Sequence, residues 1–221
     1  MPVPTNPDYV RLFNEIKSNI PAAIDAVIYQ ELWRVIEDFL NQTNVWVEEI
    51  PFIVTPNIRQ YTVTPVGKGC IDRLLMVFDP ANSAYDKRWT QQGIRFQPPD
   101  KVLLAYSPST QTTWMAAVAK NIDDKDLPPD VPTAGQLPVF EPDATWIIDK
   151  YRDAFRYGTL GYLMMQPAKP YSNPKLGSFN WQNYVTERGR ARTEVLHENV
   201  YGGQRWMYPQ GYATTARKGW T

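Results

Sequence analysis

The chain is poor in the side chains that most often carry metal and nucleophilic chemistry. Its 221 residues include one cysteine, Cys70, and one histidine, His197. A single thiol excludes an internal disulfide framework and fits a reducing compartment. One histidine and one distant cysteine cannot build a His/Cys zinc site. Long apolar runs are missing too, since no stretch approaches the roughly 20 residues that span a bilayer. The opening Met1-Pro-Val-Pro-Thr-Asn-Pro7 has neither the charged nor the apolar region of a secretory signal, so the protein is expected to be cytoplasmic when made. Net charge is absent as well. Lys plus Arg and Asp plus Glu stand at 23 each, which gives no global pull toward nucleic acid or membrane.

Recognised catalytic patterns are equally scarce. There is no G-x-x-x-x-G-K-[ST], no G-x-G-x-x-G and no G-x-S-x-G. Val66-Gly-Lys-Gly-Cys-Ile71 reads as a turn before a strand, without a following helix to hold phosphate. Asp123-Asp-Lys-Asp126 lacks the alternating acids and closing Glu of a calcium loop and reads as a solvated acidic loop. His197 sits among Arg192, Glu194 and Glu198 near a helix end, where the dipole favours a surface histidine. Arg188-Gly-Arg-Ala-Arg192 is a basic cluster, but Glu187 and Glu194 bracket it, which suits ion pairs within the helix or between subunits. No catalytic residue, metal ligand or cofactor site is assigned, and the chain is expected not to be an enzyme.

What the chain does have is aromatic surface. Its 8 Trp and 13 Tyr are abundant; about half are expected to fill the core, and both types supply stiff contact area with a polar tip that suits interfaces. Charge is segregated locally. Ile122 to Asp149 carries seven acids against one base, net −6, and Lys175 to Thr221 carries seven bases against three acids, net +4. Such asymmetry belongs either to solvated loops and a solvated helix face or to faces that orient copies head to tail or dock an acidic partner.

Periodicity predicts an α+β fold: a four-helix bundle with an inserted small antiparallel β unit and an extended C-terminal tail. N-terminal helices occupy 1–44, one from Pro7 to Lys17 with a stripe of Val10, Phe13, Ile16 and Ile20. The second runs from Pro21 to about Thr43, with Ile24, Ile28, Leu32, Val35, Ile36 and Phe39 inward and Asp25, Glu31, Arg34 and Asp38 outward. The β unit covers 45–121. It opens with a hairpin over Val47–Thr64, turned at Thr55-Pro-Asn-Ile58, and continues with short strands at 71–78, 93–96, 101–106 and 113–118. A Pro-rich acidic linker spans 122–142. C-terminal helices fill 143–203, one from about Pro142 to Gln166 and one from about Ser178 to Tyr201, joined by a proline-stiffened connector ending at Pro174. Gly158 and Gly161, each costing ~1 kcal/mol relative to Ala within a helix, point to close approach of another backbone. The tail, 204–221, holds Trp206, Tyr208, Tyr212 and Trp220 with Arg205, Arg217 and Lys218 and no acid. It is too short and too broken by Pro209, Gly211 and Gly219 to form a core, so its aromatics must find a surface, either the chain's own body or, preferably, a neighbour's.

The element order resembles that of head-to-tail adaptor (connector, or neck) proteins of tailed bacteriophages. Several strings are similar to such neck proteins: Ile24-Asp-Ala-Val-Ile28, Glu31-Leu-Trp-Arg-Val-Ile-Glu-Asp-Phe-Leu40, Thr43-Asn-Val-Trp46, Ile71-Asp-Arg-Leu74, Asp149-Lys-Tyr-Arg-Asp-Ala-Phe155, Gly158-Thr-Leu-Gly161, Gln166-Pro-Ala-Lys-Pro-Tyr-Ser172 and Leu196-His-Glu-Asn-Val-Tyr-Gly-Gly203. The resemblance implies a structural virion protein in the neck, a ring commonly of twelve copies beneath the portal. The helices would wall the channel through which genomic DNA passes without sequence-specific binding. Its partners would be the portal, neighbouring copies and the next tail or stopper protein, with no membrane contact. On this chain the portal-docking residues would be Arg205, Trp206, Tyr208, Tyr212, Arg217, Lys218 and Trp220. Ring closure would bring Asp123, Asp124 and Asp126 of one copy toward Arg188, Arg190 and Arg192 of the next. The alternatives are another neck or tail-completion protein, a cryptic carboxylate enzyme, and a DNA-binding packaging component, which predicts strong salt-dependent DNA affinity.

Overall fold

The structure, a computed structural model, describes residues 7–67, 69–80, 94–105, 109–122 and 145–198. Two helices lead: α1, Pro7–Asn19, and α2, Asp25–Thr43. The buried positions of α1 are Tyr9, Leu12 and Ile16, followed by Ile20. The apolar stripe is therefore rotated from the one read from Val10 and Phe13, because Tyr9 and Leu12 fill the core. Phe13 lies at its margin, stacked on Tyr29 at 4.4 Å. Ile24 precedes α2 and is 70% exposed, outside the core stripe of that helix. α2 ends where Asn44 adopts a left-handed φ of 55° and donates its N–H to the Leu40 carbonyl at 3.1 Å.

Six strands follow: β1 Val47–Val54, β2 Gln60–Thr62, β3 Cys70–Phe78, β4 Ile94–Gln97, β5 Lys101–Leu104 and β6 Thr112–Asn121. They form two antiparallel three-stranded sheets, ordered β1-β6-β3 and β2-β5-β4, rather than one β unit. The predicted hairpin over Val47–Thr64 is not made. β1 pairs along its whole length with β6, from Val47 opposite Ala119 to Val54 opposite Thr112, whereas β2 crosses to the second sheet and pairs with β5. Tyr61 fixes that crossing. Its hydroxyl donates to the Ile58 carbonyl at 2.7 Å and accepts the Thr55 N–H at 3.1 Å, tying the turn to β2. Both sheets share one apolar core containing Ile50, Phe52, Val54, Tyr61, Val102, Leu104, Ala116 and Val118.

Three helices close the described chain: α3 Trp146–Lys150, α4 Arg152–Met165 and α5 Pro174–Glu198. Five helices thus replace the expected four-helix bundle, while the α+β class stands. The helix read over 142–166 breaks at Tyr151, which leaves helical geometry at φ −109°, ψ 23°. Its ring there packs 5.1 Å from Phe39 and 6.4 Å from Trp146. α5 begins at Pro174, ahead of the expected Ser178, because Asn173 caps it: the Leu176 N–H reaches Asn173 Oδ1 at 3.2 Å. Helices α1, α2, α4 and α5 share a second core centred on Phe39, Phe155 and Tyr184. The two glycines of α4 allow tight packing. A Cβ on Gly161 would sit 3.1 Å from the Trp181 backbone nitrogen, and one on Gly158 would meet Val35 at 2.5 Å.

Helices and sheets are stitched together where α2 meets β6. Asn121 Nδ2 donates to Asn41 Oδ1 at 2.8 Å, and Arg73 donates to the Asn41 carbonyl at 3.2 Å. Lys120, 1% exposed, lies over the Trp46 ring at 4.6 Å and pairs with Glu48 at 2.9 Å. A buried cation with these partners, and with the Val66 carbonyl at 3.1 Å, fastens the junction; losing Glu48 would remove a counter-charge from it.

Candidate functional site

The three arginines read as an inter-subunit cluster do not share one face. Arg188 turns inward and donates to Asp38 Oδ2 at 2.8 Å, and the Tyr184 hydroxyl donates to the same oxygen at 2.6 Å. Asp38, expected on the outer side of α2, is therefore the acceptor joining α2 to α5. Burial, followed by the hydrogen bond to Asp38, pushes the Tyr184 hydroxyl well above its usual range, so it stays protonated. Arg190 is 79% exposed and lies 3.8 Å from Glu187 one turn away. Arg192 is exposed and has no ion-pair partner among the described residues. The acids Asp123, Asp124 and Asp126, and the tail residues Arg205, Trp206, Tyr208, Tyr212, Arg217, Lys218 and Trp220, lie outside the described residues.

Another structural pair joins α3 to α5. Lys150 donates to Glu194 at 2.9 Å, and Tyr151 reaches the same carboxylate at 3.4 Å. The hydrogen bond between them raises the lysine and lowers the carboxylate. Among the described residues no group of three or more His, Cys, Asp or Glu side chains is arranged to hold a metal ion. Cys70 opens β3 half-buried, its thiol 3.6 Å from the Ile122 carbonyl.

A second basic centre escaped the sequence reading. Where α4 begins, Arg152 and Arg156 lie one turn apart on the face that packs against α1, and Arg11 of α1 joins them. All three converge on Glu15, at 3.8 Å from Arg152, 4.0 Å from Arg156 and 3.4 Å from Arg11. A shallow, open hollow beside them is lined by Val10, Arg11, Asn14, Glu15 and Ser18. The i,i+4 spacing of Arg152 and Arg156 was visible in the chain. Their meeting with Arg11 was not, because only the packing of α1 on α4 creates it.

Apolar side chains also face outward. Phe179 is 57% exposed and Leu176 41% exposed; three residues apart, they share one flank of α5. Val185, 41% exposed, lies on the other flank, and Trp146 at the start of α3 is 45% exposed. α5 thus presents apolar groups on both sides of the stripe it buries. No helix among the described residues is long and apolar enough to cross a membrane.

No protein-family model matches the sequence, and no curated protein matches it. The functional reading therefore rests on the residues themselves.

Proposed function

We propose that the chain is a structural subunit of the adaptor ring joining the portal of a tailed-phage capsid to its tail, and that it performs no catalysis. The observation that carries this reading is the composition of 204–221: four large aromatics, three cations and no acid, in a segment too short to bury them by itself. The neck-protein strings, which recur along most of the chain, support it. So do the outward apolar groups Leu176, Phe179 and Val185 on α5, the helix that leads toward that segment. Exposed aromatic and aliphatic groups rimmed by charge suit protein contact.

Docking of the C-terminal segment on the portal has a definite energetic form. Ordering it costs ~1–2 kcal/mol per residue. Its four aromatics return only ~1.5–3 kcal/mol each on full burial. Main-chain hydrogen bonds to the portal, and repetition around a ring, supply the remainder. Deleting Gln204–Thr221 should leave a folded, soluble protein and yield filled heads that lose their DNA. Particles of normal infectivity from that truncation would overturn the proposal.

A further inference from the structure

We infer that the arginine cluster where α1 packs on α4 is the receiving half of the contact between neighbouring copies, and that its occupant is the acidic run Asp123-Asp124-Lys125-Asp126 of a second copy. The inference deepens the ring reading and rests on it.

The cluster is charged but incompletely neutralised. Three guanidinium groups surround Glu15 at 3.4–4.0 Å, beyond the ~2.7–3.2 Å of a good hydrogen bond. The one close pair is Arg156 with Asp153 at 3.1 Å. Two carboxylates thus face three cations, and the buried Nε of Arg152 has no hydrogen-bond partner. Arg152 is also the first residue of α4, where the positive end of the helix dipole opposes a cation. An incoming carboxylate relieves that opposition.

The cluster is also preorganised. The side chains of Arg152 and Arg156 are 26% and 29% exposed, so packing holds most of each in place. Arg11, 64% exposed, remains an arm reaching into solvent beside the open hollow. Planar guanidinium forks fixed in this way lose little entropy when they engage a carboxylate.

The choice of occupant follows from charge pattern. The cluster sets three positive groups around one central negative group, Glu15. The run 123–126 carries three negative groups and one positive group, Lys125. A phosphate backbone offers only negative charge and meets Glu15 and Asp153 unrelieved, whereas Lys125 answers Glu15. The run also belongs to the most acidic stretch of the chain, which holds seven of its 23 acids. One face accepting a different face of the next copy is the heterologous contact that a ring requires. Arg188 is already held by Asp38 and contributes little to such a contact.

The test uses two charge-reversed full-length proteins. One carries Arg152→Glu and Arg156→Glu, and the other carries Asp123→Lys, Asp124→Lys and Asp126→Lys. Masses are measured by mass photometry at low salt for wild type, for each variant alone and for their equimolar mixture, with circular dichroism confirming the fold. Wild type should form a high-order ring, each variant alone should assemble about tenfold less tightly or worse, and the mixture should recover an alternating ring. If Arg152→Glu with Arg156→Glu unfolds the chain, Arg11→Glu, at the exposed arm, replaces it. Monomeric wild type, a folded variant that assembles normally by itself, or a mixture that stays monomeric overturns the inference. Tighter duplex-DNA binding by wild type than by the arginine variant, without any ring, overturns it as well. The two claims fail separately. Reversal without effect on a ring found at the neck removes this contact alone, whereas charge-swapped recovery by a protein absent from the neck removes the adaptor role alone.

Discussion

At the scale of single residues, glycines on α4 and α5 should respond to substitution with opposite signs. A Cβ on Gly158 meets Val35 at 2.5 Å and the Tyr184 ring at 3.0 Å, so Gly158→Ala overpacks the core and should cost about 1–3 kcal/mol. Gly189 has nothing within 4 Å, and Gly189→Ala should stabilise by about 0.5–1 kcal/mol through helix propensity. Urea unfolding of the two variants checks both signs. Asp38 accepts from Tyr184 and Arg188 together, so Asp38→Ala should cost about 1.5–3 kcal/mol. The same network sets an alkaline limit. Burial and Asp38 raise the folded Tyr184 above its usual 10.0, and burial raises Tyr9 similarly. Below pH 10 both states keep these protons and stability is unaffected. Above it the unfolded chain releases them first, so stability falls as pH rises. Tyr184→Phe should lessen that fall, as measured by urea midpoints at neutral pH and at about pH 11. The inward role of Asp38 was hidden in the sequence because a carboxylate flanked by core positions reads as solvent-facing until a partner helix supplies its donors.

At the scale of elements, α5 owes its start to Asn173 and Pro174. Asn173→Ala should lower stability by about 1 kcal/mol in the same unfolding measurement, since the Leu176 N–H loses its acceptor. An asparagine followed by proline marks both a stiff connector and a capped first turn, so the sequence alone placed the helix start too late. Strand positions were legible from alternation and turn residues. Strand partners were not. β1 and β2 look like a hairpin along the chain, yet β6, with its run Ala116-Ala-Val-Ala119, offers β1 eight paired positions and a flat surface, while Tyr61 draws β2 to the other sheet. The edges of the first sheet are interrupted, by Pro51 in β1 and by two register shifts in β3, features that discourage pairing between sheets of different copies. The proposed contacts between copies accordingly do not involve these sheet edges.

At the scale of the whole molecule, the α+β class was readable because two periodicities alternate cleanly along the chain. The bundle count was not, because Tyr151, where the helix breaks, packs its ring on Phe39 of the distant α2. The basic centre of Arg11, Arg152 and Arg156 was likewise invisible until α1 lay against α4. Zero net charge with opposed local charge suits a molecule that binds its own copies more than it binds polyanions. Self-association should accordingly weaken with added salt as exposed charges are screened over about 8–10 Å, a trend that sedimentation velocity across a salt series reads directly. The central claim is tested most directly by cryo-electron tomography of phage particles in which this chain carries a bulky tag. The account predicts a ring of tag density at one capsid vertex, between portal and tail; density spread over the capsid shell or along the tail, or particles lacking the chain, would contradict it.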